Sequence, residues 1–109
     1  MYGYEFAWGS PARRGALGAC HAIELPFVFG TLAAPGMAAF SGSGPDAERL
    51  SGWMMDTWAA FARTGDPSHG ALRVPHHDPA TRPTLVLDRE PRVELAPRDR
   101  TLQGWAALL

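Results

Sequence analysis

Gly18-Ala19-Cys20-His21-Ala22-Ile23-Glu24-Leu25-Pro26-Phe27-Val28-Phe29-Gly30 sets one histidine in a short loop between two apolar segments. The run Leu25 to Phe29 is too short for a regular helix and is interrupted by Pro26, so it reads as an extended or single-turn buried segment. A polar loop residue held between apolar anchors is presented by a scaffold rather than lost in a core. Imidazole is also the side chain whose ordinary pKa lies nearest neutrality, which suits it to taking and returning a proton.

Upstream, Tyr2, Tyr4, Phe6 and Trp8 alternate with Gly3, Glu5 and Ala7. Period two with aromatic enrichment predicts a strand over 2–8, ended by Gly9-Ser10-Pro11. Residues 9–22 read as loop. Downstream, residues 31–45 are rich in Gly, Ala, Ser and Pro and also read as loop. A long amphipathic helix follows over 46–64. Leu50, Trp53, Met54, Thr57, Trp58 and Phe61 share one face of an about 3.6-residue period, which predicts that they pack into the core. Ser43 or Asp46 is the expected N-cap, Arg63 falls in the last turn, and Gly65 followed by Pro67 ends the helix. Residues 68–83 form a polar loop. Thr84–Asp88 reads as a short strand, Arg92–Leu95 as another, and Leu102, Trp105, Leu108 and Leu109 mark a final helix.

Two of these segments carry family patterns. The histidine loop fills every fixed position of G-x-x-H-x-x-E-[LI]-x-F-[VI]-F, and Phe61-Ala62-Arg63-Thr64-Gly65-Asp66-Pro67 fills F-A-[RK]-T-G-D-P. Pro75-His76-His77-Asp78-Pro79 is similar to a W-P-x-Y-D-P turn, with Val74 and His77 in place of the usual Trp and Tyr. In this order and spacing the chain resembles the C-terminal end of type B carboxylesterases, which include cholinesterases and para-nitrobenzyl esterases. The resemblance implies an α/β class: residues 1–109 as a partial α/β-hydrolase domain with a late sheet strand, catalytic-histidine loop, amphipathic helix, short strand and C-terminal helix. It implies carboxylic-ester hydrolysis of the serine type, with His21 as the catalytic base and then acid.

Such chemistry needs a serine nucleophile, a carboxylate that fixes the histidine tautomer, and backbone N–H donors for the oxyanion. The nucleophile elbow is G-x-S-x-G. None of Ser10, Ser41, Ser43, Ser51 and Ser68 has Gly both two residues before it and two residues after it, and no glycine-rich oxyanion motif is present. In α/β-hydrolases the order is Ser, acid, His, so with His21 near the start both partners would lie upstream of Met1. A strand opening directly after Met1 reads the same way, as a chain begun partway through a larger fold. The isolated chain is therefore expected to be inactive. The alternatives are a non-catalytic remnant of a truncated or mis-called gene, or the small piece of a split esterase that binds an upstream fragment. In the isolated chain the strand over 2–8 would lack its sheet neighbours, so Tyr2, Tyr4, Phe6 and Trp8 are expected to face solvent or another chain.

Other residues carry blander readings. Glu24 matches a family glutamate that is not the triad acid and is expected to hold the loop by hydrogen bonding. Cys20 reads as a buried structural thiol. His69, His76 and His77 lack metal-ligand spacing, and no cofactor or metal is implied. The net charge is −1 over 109 residues, which gives no basis for nucleic-acid binding or attraction to an acidic membrane. All 10 basic residues are arginine, in keeping with a GC-rich coding sequence. No apolar run approaches the length of a membrane span, and no signal peptide is visible, which makes a cytoplasmic location the default expectation. The implied partner is a small-molecule ester, bound when the rest of the fold is present.

Overall fold

The computed structural model describes residues Met1–Leu109. Its elements are β1 (Gly3–Phe6), α1 (Leu25–Val28), α2 (Met37–Ser41), α3 (Pro45–Thr64), β2 (Pro83–Leu87), β3 (Arg92–Leu95) and α4 (Asp99–Ala106). The strands form one mixed sheet in the order β1-β2-β3. β1 runs parallel to β2 with Tyr4 opposite Leu85, and β2 runs antiparallel to β3 with Leu85 opposite Val93. The parallel pairing needs a long crossover, and that connection carries the histidine loop and α3. This small mixed α/β arrangement is consistent with part of an α/β-hydrolase fold.

The core forms where α1 and α3 meet the sheet. Ile23, Phe27, Leu50, Met54, Leu85 and Leu87 are each no more than 3% exposed. Phe27 is the pivot: its ring packs against Phe6 at 5.1 Å and Trp8 at 5.5 Å between centroids. The aromatic residues of the first strand therefore do not simply face solvent, as expected from the sequence. β2 supplies a neighbour on one side, Trp8 is buried, and Tyr2 and Tyr4 meet Phe61 and Trp58 edge-on at 6.0 and 5.1 Å. Tyr4 alone of the four stays half-exposed.

α3 begins and ends close to the expected positions, but its N-cap is Gly44, with no side-chain cap from Ser43 or Asp46. Asp46 pairs instead with Arg49, one turn on. Pro45 sits in the first turn, where its missing N–H costs nothing. At the other end Gly65 takes the left-handed conformation (φ 77°) and its N–H returns to the Phe61 carbonyl at 2.7 Å. The buried stripe is Ala47, Leu50, Ser51, Met54 and Thr57. Trp53 and Trp58 are half-buried and Phe61 is 50% exposed, so the sheet covers less of this face than the periodicity implied. Within the expected loop 31–45 lies a short helix, α2. α4 buries none of its residues and is attached by Arg98 to Glu5 (2.6 Å) and by Arg82 to Asp99. No helix is long and apolar enough to cross a membrane.

Candidate active site

His21 lies on the loop between the end of β1 and α1, and its side chain is exposed. Two residues on, Ile23 is 1% exposed. The chain changes from outward to inward across Ala22, which takes a left-handed backbone (φ 65°). Alanine in that region is unfavourable by about 1–2 kcal/mol because Cβ crowds the following carbonyl, and such residues persist only where the surroundings over-determine them.

The surroundings do so from several sides. The N–H of Ser10 donates to the Gly18 carbonyl at 2.9 Å, closing the base of the loop. Cys20 N–H donates to the same carbonyl at 3.0 Å, and Ile23 N–H to the Cys20 carbonyl at 3.3 Å. The indole Nε1 of Trp8 donates to the Ser41 carbonyl at 2.8 Å, and the Ser10 hydroxyl donates to the Phe40 carbonyl. α2 is thereby locked against the strand end that launches the loop. Beyond the histidine, the Ser51 hydroxyl of α3 donates to the Phe27 carbonyl at 2.7 Å. None of Trp8, Ser10, Ser41 and Ser51 stands out in sequence as part of the loop's support. The one cue is that Ser51 follows Leu50 on the apolar face of the longest helix.

Glu24 does not hold the loop through its carboxylate. Its backbone carbonyl does so, accepting the N–H groups of Phe27 and Val28 at 3.0 Å each as α1 begins. Cys20 is half-buried at the core margin rather than fully buried.

The remaining histidines lie elsewhere. His69 Nε2 is 2.8 Å from the Thr57 hydroxyl, whose oxygen also lies 2.9 Å from the Trp53 carbonyl. His76 Nε2 meets the Tyr2 hydroxyl at 3.1 Å. No three His, Cys, Asp or Glu side chains converge as a metal site. A groove of ≈ 200 Å³ is lined by Tyr2, Tyr4, Trp58, Phe61 and Val74 among others, and a second of ≈ 410 Å³ by Leu32, Ala38, Glu48 and Met55 among others. Neither includes His21. The first lies at the Tyr2 end of β1, whereas the loop leaves from the Trp8 end, about 20 Å away at the rise of a strand. His21 therefore stands on a supported loop, exposed, with an imidazole that makes no hydrogen bond or ion pair to the rest of the chain.

Comparison with known proteins gives the family. The sequence matches the carboxylesterase family over residues 1–105. The para-nitrobenzyl esterase of Bacillus subtilis (strain 168) is 37% identical over 100 residues, covering 92% of this chain and 20% of that protein. The phenmedipham hydrolase of Pseudarthrobacter oxydans is 44% identical over 73 residues, covering 65% of this chain and 15% of that protein. A solved PNB esterase superposes with a TM-score of 0.81 at 34% identity, over 94% of this chain and 21% of its own. The Geobacillus stearothermophilus carboxylesterase EST55 gives 0.77 at 36% identity, over 95% of this chain and 21% of its own. The chain spans about a fifth of the length of the curated relatives it matches. Residues 1–105 cover nearly the whole sequence, and the chain belongs to the carboxylesterase family.

Proposed function

We propose that this chain supplies the general base, His21, to a serine carboxylesterase site whose nucleophile, acid and oxyanion donors come from the part of the fold it does not contain. In this reading β1 is the late sheet strand of the α/β-hydrolase and the loop after it is the catalytic-histidine loop. The observation that carries the reading is the supported, exposed imidazole of His21 within a chain matched by the family from end to end. His21 Nε2 takes the proton of the attacking serine and later gives it to the departing alcohol, while a carboxylate at Nδ1 holds the tautomer. The substrate class is a small-molecule carboxylic ester.

The test is co-expression with the part of the B. subtilis para-nitrobenzyl esterase that this chain does not match, followed by assay of para-nitrophenyl acetate hydrolysis. The pair is expected to turn over ester, the chain alone is not, and His21→Ala is expected to silence the pair. Equal activity of the His21→Ala pair would show that another group is the base.

A further inference from the structure

We infer that Ala22 is the positioning residue of His21, acting through its left-handed backbone rather than its methyl group. This inference rests on the reading of His21 as the base. Three observations carry it. Ala22 is at φ 65° although it is not glycine. It separates an exposed His21 from an Ile23 that is 1% exposed. The segments on either side are fixed independently, by the Gly18 carbonyl before it and by the buried Phe27 ring and the Ser51 hydroxyl after it.

In extended or right-handed helical backbone, residue 22 would carry the chain along a different path between those two fixed ends. The imidazole would then leave the loop in another direction while Ile23 kept its place in the core. The left-handed residue is the point at which the aim of His21 is set. Glycine accepts this region freely. A β-branched residue is an outlier there. Valine keeps an apolar side chain but resists the backbone, and glycine keeps the backbone but loses the methyl. The two substitutions therefore separate a role of the backbone from a role of the side chain.

The experiment compares Ala22→Gly and Ala22→Val by NMR in the chain itself and by ester hydrolysis in the co-expressed pair described above. In the chain, Ala22→Gly is expected to preserve the His21 amide and imidazole Cε1–H shifts. Ala22→Val is expected to move them while the Phe27 and Leu50 methyl and ring signals of the core stay in place. In the pair, Ala22→Val is expected to lower kcat on the order of tenfold to a hundredfold, the size of loss that a small misplacement of a reacting group produces, with KM little changed. Ala22→Gly is expected to retain kcat within about threefold of the unsubstituted pair. Unmoved His21 shifts in Ala22→Val, or a loss in Ala22→Gly as large as in Ala22→Val, would overturn the inference. An unsubstituted pair that is inactive would count against His21 as the base, and the NMR comparison would still decide the role of Ala22.

Discussion

The hydroxyl of Ser51, 4% exposed in the middle of the longest helix, donates to the carbonyl of Phe27 at 2.7 Å. This single bond ties the turn that follows His21 to α3. It is the shorter of two bonds to a carbonyl at the end of a one-turn helix, the other coming from the Gly30 N–H at 3.4 Å. Removing the hydroxyl leaves that carbonyl only the longer bond from Gly30, and the loss of one hydrogen bond costs about 0.5–1.5 kcal/mol. Ser51→Ala is accordingly expected to lower the unfolding free energy by that amount, read as a lower urea midpoint with the slope of the transition unchanged. A midpoint equal to that of the unsubstituted chain would mean that the bond contributes nothing.

Gly30 closes the same turn at φ 65°, and a Cβ built there would lie 2.8 Å from the Met55 sulfur. Gly30→Ala therefore combines a left-handed alanine with a clash. The expected loss is about 1–3 kcal/mol. Met55 is flexible and 40% exposed, so it can move aside. Adding Met55→Ala to Gly30→Ala is expected to return only part of the loss, because the backbone penalty remains. Full recovery in the double variant, measured by thermal denaturation, would show that the clash was the whole effect.

Phe27 is fully buried and holds Phe6 and Trp8 against the loop. Phe27→Ala leaves a cavity at the meeting point of strand, loop and helix. Such truncations cost about 3–5 kcal/mol, a large share of the stability of a domain this small. The expected outcome is a broad, low-temperature transition with loss of the near-ultraviolet signal of Trp8. A cooperative melt within a few degrees of the original would contradict the central place given to this ring.

The histidine loop and α3 were legible because their signals are local: a contiguous pattern around His21, and an apolar stripe closed by Gly65 and Pro67. What escaped was set from a distance. Met37–Ser41 becomes helical within a loop-like composition where Trp8 Nε1 and the Ser10 hydroxyl reach across some thirty positions to the carbonyls of Ser41 and Phe40. Ala22 carries no sign of its left-handed backbone, because alanine is not a residue that marks that region. Periodicity placed Phe61 on the inner face of α3, but the reach of that face is decided by a three-stranded sheet that ends before it. The pattern marks Glu24 as a hydrogen-bonding residue of the loop but not which of its atoms serve, and it is the carbonyl that begins α1.

Two carboxylates give the chain an acid-sensitive component. The Asp66 carboxyl is held below the usual carboxylate range, first by the hydroxyl of Ser68 and then by its N–H, at 2.8 Å from Oδ1. Asp78 is held down by the N–H of Ala80 and then by the Thr81 hydroxyl. A folded-state pKa below the unfolded one adds stability above the unfolded value, near pH 4 for aspartate (about 3.9). That stability is lost as pH falls through the folded values. Urea midpoints measured from neutral pH downward are therefore expected to hold until about pH 4 and then fall. Asp66→Asn and Asp78→Asn together are expected to flatten the fall. An undiminished fall in the double variant would assign it to other carboxylates.

β1 is an edge strand, and its hydrogen-bonding pattern shows which amides are free. The N–H of Ala7 donates to the Leu87 carbonyl at 2.8 Å, so by the alternation of a strand Gly3, Glu5 and Ala7 turn toward β2, while Tyr4 and Phe6 turn toward the open edge. Tyr4 is also half-exposed. An open edge beside apolar surface is a template for pairing with another chain. Sedimentation velocity is therefore expected to show mass rising with concentration. Proline at position 4 removes an N–H that β2 does not use, and proline is tolerated on the free side of an edge strand. Tyr4→Pro should keep the β1–β2 pairing and suppress association, at the cost of the Trp58 contact. Tyr4→Leu separates the two effects, because it also loses that contact but keeps the N–H, and it should still associate. Association of Tyr4→Pro as strong as that of Tyr4→Leu would place the self-contact on another surface, with the exposed Leu102 and Trp105 face of α4 as the next to be tested.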